Sequence, residues 1–433
     1  MRIAVVTRDP TGSQLGGNAM RATELARALS AHGDVTLVAP GSPPPAPVAH
    51  AAWDPDAPRT LRPLLEGAAA VVSTPQSPEA TAELRRCGAR LVLDLYDPFP
   101  LAALEAHAGA APLQRRLHTT LAGDAFLEGM RAAHHLICAS ERQRDLWLGA
   151  LLAAGLLRPE TYDADPTLRS RIDVVPTGVP AGPPSKGTPL RERLGLAAGA
   201  APAAGGGSRG AEIVLWYGGL WNWLDPVTPV RAMPALLERR PDARLVFLGR
   251  APSGAGEHAA ADAARAAARE LGDRVVFLDA VAPYGERGAW LTDADCAVSA
   301  HAAHLETRFA FRTRMLDFIW ASLPVVCTEG DALSELVARD GLGEVVAPGD
   351  HAGMAEALAR VLASGREAYA PAFAGAAEAF AWPRVTAPLA RMVTAPELPP
   401  RLGDAALVPA LPGPASRALL TRALRGAARK LTR

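Results

Sequence analysis

The sequence alternates short apolar runs with stretches of helical length, and this alternation occurs in two successive series. Each apolar run is long enough for one buried strand, and a turn and a helical pattern follow it. Such alternation is typical of a parallel sheet whose strands are joined by crossover helices. Because 433 residues exceed one ordinary core, the two series predict an α/β protein of two doubly wound, parallel-sheet domains that face a cleft.

The predicted strands of the first series are Ile3 to Thr7, Val35 to Ala39, Ala70 to Ser73, Leu91 to Leu95, His135 to Ala139 and Ile172 to Val175. Those of the second series are Ile213 to Tyr217, Arg244 to Leu248, Val275 to Leu278, Asp295 to Ser299, Pro324 to Cys327 and Glu344 to Val346.

A change in composition separates the two series. Residues 197–210 are alanine, glycine and proline with almost no large apolar side chain, which indicates a linker. The predicted divisions are a first domain at 1–180, a linker at 181–210, a second domain at 211–379, a closing helix at 380–393 that Pro388 kinks, and a proline-rich segment with a basic tail at 394–433.

Charge and composition exclude several classes of function. Lys+Arg and Asp+Glu both number 45, so no global field attracts nucleic acid, and no nucleic-acid partner is expected. No apolar run is long enough to span a membrane, and none of the four cysteines forms a Cys-x-x-Cys pair. We therefore expect a soluble, cytoplasmic protein with reduced cysteines.

A first glycine loop lies between the first predicted strand and the helix that follows. Backbone amides at Gly16 and Gly17 could meet a phosphate, because a helix N-terminus offers unpaired donors. The spacing is not Gly-x-Gly-x-x-Gly, and the second strand ends without the acid that binds ribose in dinucleotide folds, which disfavours NAD. A tight turn without a ligand is the alternative.

A second glycine loop follows the first strand of the second domain. Gly218 and Gly219 let a phosphate approach the backbone, and Asn222, with tryptophans on both sides, could line a sugar or base pocket. Packing of these aromatic side chains in the core is the alternative.

The densest polar cluster lies at residues 301–317, where a strand ends and open α/β sheets bind ligands. Arg308, Arg312 and Arg314 could contact phosphate oxygens, and the Asp317 carboxylate could accept from ribose hydroxyls. A solvated helix face is the alternative. The histidines of this segment, His301 and His304, have no clustered thiol or carboxylate to complete a metal site, so no metal is predicted.

The run from Glu306 to Val326 resembles the donor-site signature of retaining group 1 glycosyltransferases of GT-B architecture. That signature is a Glu, seven residues, a second Glu and a tail that ends in Pro-Val-Val. Weaker similarities in the same order are the first glycine loop, residues 174–179, Gly218 with Gly219, residues 247–250 and residues 380–382.

The resemblance implies two Rossmann-like domains and a nucleotide-diphosphate sugar as co-substrate, with no cofactor or metal. It implies that Asp317 holds the donor ribose, that Glu306 contacts sugar hydroxyls, and that Gly218 and Gly219 lie beside the diphosphate. Sugar transfer with retention of configuration is the implied reaction. The helix at 380–393 would return to the first domain.

This sequence also departs from the family pattern. Ten residues separate the two acids, and Gly219 and Leu224 stand where the family has an Arg and a Lys. We therefore expect other arginines to supply the positive charge, with Arg314 the best placed of Arg250, Arg308, Arg312 and Arg314.

In the first domain, Asp97 follows a predicted strand near the point where many family members have a His. We interpret Asp97 as a contact to the sugar or to the acceptor hydroxyl. Asp94 is expected to brace the turn.

Several alternatives remain open. A sugar-nucleotide epimerase of the same architecture and a non-catalytic nucleotide-sugar-binding subunit are the competing functions. The acceptor could be a glycan, a lipid-linked saccharide or a small molecule. Residues 415–433 carry six basic side chains and no acid, which predicts either a basic amphipathic helix on the inner face of a membrane or a solvated terminus.

Overall fold

The computed structural model describes residues 1–196, 211–249 and 258–405. Within these ranges the chain forms two parallel sheets, one of seven strands and one of six. Most of the predicted linker, the candidate ligand Arg250 and the basic tail at 415–433 lie outside the described residues.

The first domain contains β1 (Arg2–Val6), α1 (Gly17–Leu29), β2 (Asp34–Ala39), β3 (Ala49–Ala52), α2 (Leu61–Leu64), β4 (Ala70–Ser73), α3 (Pro78–Arg86), β5 (Arg90–Asp94), α4 (Phe99–Ala106), α5 (Pro112–Ala132), β6 (His135–Cys138), α6 (Glu141–Ala153), α7 (Pro159–Ala164) and β7 (Ile172–Val174).

The rest of the described chain contains α8 (Pro189–Arg193), β8 (Glu212–Tyr217), α9 (Val227–Arg239), β9 (Ala243–Leu248), α10 (Ala259–Ala267), β10 (Val275–Phe277), α11 (Arg287–Thr292), β11 (Cys296–Ser299), α12 (Leu305–Phe309), α13 (Arg314–Ala321), β12 (Val325–Thr328), α14 (Ala332–Asp340), β13 (Gly343–Val346), α15 (His351–Ser364), α16 (Ala370–Ala379), α17 (Trp382–Val385) and α18 (Ala387–Thr394). Short 3-10 turns lie at Pro58–Thr60, Arg269–Arg274, Tyr284–Glu286, Arg366–Ala368 and Gly403–Ala405.

The strand order places a ligand crevice in each sheet. The orders are β3-β2-β1-β4-β5-β6-β7 and β10-β9-β8-β11-β12-β13, and every pairing is parallel. The order therefore reverses beside β1 and beside β8. Open α/β sheets bind ligands outside the carboxyl ends of their strands at such a reversal.

Twelve of the thirteen strands were predicted, each to within one residue at either end. The missing strand is β3, whose sequence Ala-His-Ala-Ala has no β-branched or aromatic residue. It pairs with β2 alone at the sheet edge, so it needs little apolar surface. Pairing with its neighbour, and not local propensity, makes it a strand.

The predicted linker contains helix α8, which packs against the second domain. Leu190 is completely buried in the core of that domain. The Arg191 guanidinium forms ion pairs with Asp293 at 3.0 Å and with Asp295 at 2.8 Å. Residues just before 197 are thus part of the second domain's packing.

The predicted closing helix is two helices, α17 and α18, that are separated at Thr386. Pro388 lies in the first turn of α18, where its missing N–H has no helical acceptor to lose. The segment reaches the first domain: the Val179 N–H donates to the Phe380 carbonyl at 2.7 Å, and Trp382 packs on Gly178.

The chain then crosses the amino ends of the first sheet, where arginines bind its carbonyl groups. Arg90 donates to the Met392 carbonyl at 2.5 Å, and Arg171 donates to the Pro400 carbonyl at 3.1 Å. Leu402 is only 2% exposed. No helix among the described residues is both long and apolar enough to cross a membrane.

Gly178→Ala should destabilise the contact between the closing segment and the first domain. A Cβ at position 178 would lie 2.5 Å from Cδ2 of Trp382, and a rigid indole cannot shift without repacking. We expect a loss of about 1–3 kcal/mol in the free energy of unfolding, measured by urea denaturation. Gly149→Ala is the control, because its Cβ would meet no atom and should leave stability unchanged or raised. An unchanged urea midpoint for Gly178→Ala would contradict this packing.

Candidate active site

Gln143 joins the two domains beside the cleft. Its side-chain NH₂ group donates to the Tyr96 carbonyl at 2.6 Å and to the Phe309 carbonyl at 2.8 Å, and its amide oxygen accepts from the Ala139 N–H at 2.7 Å. The residue is completely buried, so leaving any of these groups unpaired would be costly. The loop after β5 and the helix α12 are thereby held side by side.

Arg314, the first residue of α13, lies against the glycine loop that follows β8. One guanidinium nitrogen, Nη2, donates to the Gly219 carbonyl at 3.2 Å, and the guanidinium lies over the Trp216 ring at 5.2 Å. The other nitrogen, Nη1, is buried and has no hydrogen-bond partner among the described residues. Burial and, to a smaller extent, the neighbouring Arg312 lower the pKa of Arg314 to about 9.

Gly218 allows this approach. Its φ of +103° lies in the region that favours glycine, and a Cβ there would be 3.3 Å from Nη2 of Arg314. The Gly218 carbonyl also lies only 2.0 Å from where a Cβ of Gly249 would be. The loop backbone is therefore exposed to Arg314 on one side and packed against a second loop on the other.

Glu306 of α12 forms a two-point ion pair with Arg312, which lies in the turn between α12 and α13. The distances are 2.8 Å from Nη1 to Oε1 and 2.6 Å from Nη2 to Oε2. Glu306 is 2% exposed. Since Arg312 is neutralised in this way, Arg314 is the cation of this pair of arginines that lacks a counter-charge.

The two histidines of the polar cluster have structural partners. Nδ1 of His304 accepts from the Thr307 N–H at 3.2 Å and caps α12, while its Nε2 lies 3.0 Å from the Trp223 carbonyl. Nε2 of His301 lies 3.6 Å from Asp331. Among the described residues, no group of three or more His, Cys, Asp or Glu side chains is arranged to hold a metal ion.

Asp97 lies across the domain boundary from this ion pair. Burial and, to a smaller extent, the Glu306 carboxylate raise its pKa to about 7, although Arg312 opposes the increase. A carboxyl group in this state can exchange a proton near neutral pH. The structure thus brings together Asp97 from the first domain and Glu306 from the second.

Asp94 has a structural role, as expected. It forms a two-point ion pair with Arg21 at 2.7 and 2.9 Å and accepts from the Tyr96 N–H at 3.3 Å. Arg21 also donates to the Val175 carbonyl at 2.8 Å. This fully buried pair fixes the turn that presents Asp97.

Asp317, the expected ribose contact, is buried on α13 and pairs with Arg287 at 3.2 Å. Burial raises the pKa of Asp317, and Arg287 opposes the increase. The Arg287 guanidinium lies 3.9 Å from the Tyr284 ring centroid, and the Tyr284 hydroxyl donates to Glu24 of the first domain. A small cavity between the domains is lined by Glu24, Arg287 and Asp317.

Gly16 and Gly17, which the sequence places in a loop before the helix, lie at the start of α1. Gly16 is the residue before the helix, and a Cβ on Gly17 would lie 3.5 Å from Oγ1 of Thr313, which precedes Arg314. The positive end of α1 therefore approaches the start of α13 across the domain boundary.

Three other residues that the sequence predicts to contact the donor are Arg308, Asn222 and Arg250. Arg308 is exposed on α12 with its guanidinium over the Phe309 ring. The Asn222 amide oxygen accepts from the Ala260 N–H at 3.2 Å and supports the start of α10. The third residue, Arg250, is not among the described residues.

Sequence reasoning missed three residues that shape the site. Gln143 and Arg287 gave no signal, because each acts through a partner far along the chain. Asp9 could have been found, since it follows β1 just as Asp97 follows β5. Burial raises the pKa of Asp9, and a hydrogen bond from Asn18 opposes the increase.

Asp97→Asn tests the raised pKa. A carboxyl group whose pKa rises on folding from 3.8 to about 7 stabilises the fold only while it is protonated. That stabilisation is complete below about pH 4 and is lost as the pH rises through about 7. We expect Asp97→Asn to increase the free energy of unfolding more at pH 8 than at pH 5, measured by urea denaturation. The exposed Asp163→Asn is the control, and an equal effect of Asp97→Asn at both pH values would contradict the raised pKa.

The comparisons with known proteins agree with this arrangement. Residues 211–364 match the family model described as "Glycosyl transferases group 1". No curated protein matches the chain in sequence.

Among the solved structures to which the chain is similar are three proteins at 16% sequence identity each. The sucrose-phosphate synthase of Thermosynechococcus elongatus has a TM-score of 0.54, with 98% of this chain and 99% of that chain covered. WaaG, a glycosyltransferase involved in lipopolysaccharide biosynthesis, has a TM-score of 0.59, with 91% of this chain and 100% of that chain covered. HepE of Anabaena, in complex with UDP-glucose, has a TM-score of 0.60, with 91% of this chain and 99% of that chain covered.

These structural similarities show the fold of the chain, and the family model matches its second domain. The chain has a two-domain, GT-B-like architecture, and residues 211–364 of its second domain match the group 1 glycosyltransferase family.

Proposed function

We propose that this protein transfers a sugar from a nucleoside diphosphate sugar to an acceptor hydroxyl, with retention of configuration and without a metal ion. The observation that carries the proposal is the Arg314 guanidinium, which faces the Gly218–Gly219 loop and whose Nη1 nitrogen is buried without a partner among the described residues. A buried cation without a counter-charge is destabilising, and an anionic ligand relieves that cost. A diphosphate supplies both the charge and the acceptor oxygens.

Two further elements support a diphosphate at this position. The start of α1, at Gly16 and Gly17, adds backbone donors and a positive dipole end from the opposite domain. The glycine loop lets phosphate oxygens approach the backbone closely. Together with Arg314 they surround one volume with positive potential, which favours the leaving diphosphate as its charge develops.

The nucleoside lies on the other side of Arg314 in this proposal. Asp317 is three residues further along α13, one helical turn away, and its carboxylate accepts from the ribose hydroxyls. Arg287 holds that carboxylate in place. The similar HepE structure contains UDP-glucose, which supports a nucleotide sugar as the donor class.

Glu306 and Asp97 are assigned to the reacting sugar. Glu306, oriented by Arg312, contacts donor-sugar hydroxyls. Asp97 contacts the acceptor hydroxyl from the first domain, and its pKa of about 7 lets it accept a hydrogen bond from that hydroxyl at neutral pH. In a retaining reaction the leaving phosphate deprotonates the acceptor on the same face of the sugar, so no enzymic nucleophile is required. The acceptor itself is a glycan, a lipid-linked saccharide or a small molecule.

Arg314→Gln should weaken the binding of a nucleoside diphosphate far more than that of the nucleoside. Loss of a charge-assisted contact costs about 1.5–3 kcal/mol, or roughly ten- to a hundredfold in Kd. The ligand is the diphosphate that most raises the melting temperature in a panel of bases, and calorimetry measures both affinities. Arg308→Gln, which removes an exposed guanidinium from the neighbouring helix, is the matched control. Equal weakening of nucleoside and diphosphate by Arg314→Gln would exclude the phosphate role.

Anomeric configuration and chelation test the rest of the proposal. Proton NMR of the first product formed should show the anomeric configuration of the donor, and EDTA should leave the initial rate unchanged because arginine supplies the positive charge. An inverted product would refute retention, and a rate restored only by a divalent ion would refute metal independence. An isomerised sugar nucleotide formed without acceptor would instead identify an epimerase.

A further inference from the structure

Helix α5 exposes a stripe of leucines to solvent. Leu113, Leu117 and Leu121 are 81%, 55% and 54% exposed. Their spacing of four residues places them on one face of the helix. Isolated exposed leucines are common, but three in register on one helix form a continuous apolar surface. We call these three residues the leucine stripe.

The stripe lies on a helix whose other half is firmly packed. Phe126 and Met130 are buried in the core of the first domain, and the backbone of Gly129 lies against Leu93 of β5. The half that carries the stripe extends beyond this anchor. Its exposure is therefore a feature of the fold rather than of a frayed chain end.

Contacts between α4 and α5 fix the stripe relative to the active site. The Arg115 guanidinium donates to the Leu104 carbonyl at 3.1 Å, and the His107 and His118 rings stack at 4.1 Å. Helix α4 begins at Phe99, two residues after Asp97. The paired helices thus form an apolar extension of the loop that presents the cleft carboxylate.

The apolar surface continues onto neighbouring elements. Of the ten large apolar side chains that are exposed among the described residues, five lie on α4, α5 and α12. Besides the leucine stripe these are Leu104 on α4 and Leu305 on α12, and α4 contacts both other helices. Helix α12 also carries Glu306. Half of the exposed large apolar side chains are therefore grouped around one end of the cleft.

The charge around the stripe selects its partner. No Asp or Glu occurs between Glu105 and Asp124, whereas Arg115 and the exposed Arg116 lie within the stripe's first turns. An apolar helix face flanked by arginines and free of acids matches the interface of an anionic bilayer. A second copy of the chain would bring like-charged arginines together on the same face.

We propose that α4 and the first half of α5 form a membrane-binding face that inserts the leucine stripe into the headgroup region of an anionic bilayer. The face brings the cleft to an amphiphilic acceptor whose hydroxyl reaches Asp97 while its apolar part stays in the lipid. This assignment of acceptor class rests on the proposed transferase function. The membrane contact itself does not, and it is a site separate from the basic tail at 415–433.

Vesicle flotation of the full chain tests the contact. The vesicles contain phosphatidylserine as the anionic lipid. The variant is Leu113→Gln/Leu117→Gln/Leu121→Gln. We expect the partition coefficient of this variant to fall at least about a hundredfold, because each fully inserted leucine contributes about tenfold or more. Leu152→Gln/Leu398→Gln, which removes two exposed leucines from other surfaces, is the control and should bind as wild type does. The basic tail is present in every protein compared, so it does not account for a difference.

A second measurement locates the insertion. Trp fluorescence of Leu117→Trp should be quenched by brominated lipid, whereas that of Leu152→Trp should show only the change seen in wild type. Wild-type binding by the triple variant, absence of quenching at position 117, or a concentration-dependent dimer abolished by the triple variant would each overturn the proposal. Acceptor-free donor hydrolysis, measured in parallel, should be unchanged in the triple variant, so failure of the membrane face is distinguishable from failure of the transferase function.

Discussion

The Arg314 guanidinium is buried against the carbonyl of Gly219 and the ring of Trp216, and no carboxylate among the described residues neutralises it. Such a group reduces the stability of the unliganded fold, because a charge taken out of water needs a partner. The surrounding structure nevertheless holds it in place through the start of α13 and the packed glycine loop. An unliganded protein organised around an uncompensated cation is pre-organised for an anion, and ligand binding then needs little rearrangement.

Two carboxylates of the site, Glu306 and Asp94, each have a bound cation, in contrast to Arg314, which has no bound anion among the described residues. Arg312 neutralises Glu306, and Arg21 neutralises Asp94. Asp97 is left with burial and a like charge nearby, which together raise its pKa to about 7. Because Asp97 belongs to the first domain and Glu306 to the second, this contrast depends on the domain contact that Gln143 maintains.

The strands and both glycine loops could be predicted because buried parallel strands are continuous apolar runs, which local sequence reveals. The edge strand β3 could not, since only its pairing with β2 makes it a strand. In the site, the sequence indicated that arginines would gather beside Asp317. It could not show which of them is uncompensated, because the pairing of Arg312 with Glu306 requires the chain to turn back between α12 and α13. The pair of Arg287 with Asp317 spans thirty residues and has no local signal.

The departures from the group 1 pattern lie in the loop after β8 and in the segment from α12 to α13. A side chain at Gly219 would place its Cβ 2.6 Å from Nε1 of Trp221, which is stacked on Trp223 at 5.0 Å, and Leu224 is buried in the apolar core. The loop after β8 therefore has no room for the two cations that the pattern places there. The pattern has seven residues between its two acids, whereas ten residues separate Glu306 from Asp317. In this longer segment Arg312 folds back onto Glu306, and α13 begins at Arg314. In the proposed site, Arg314 at the start of α13 supplies the positive charge that the pattern places in the loop.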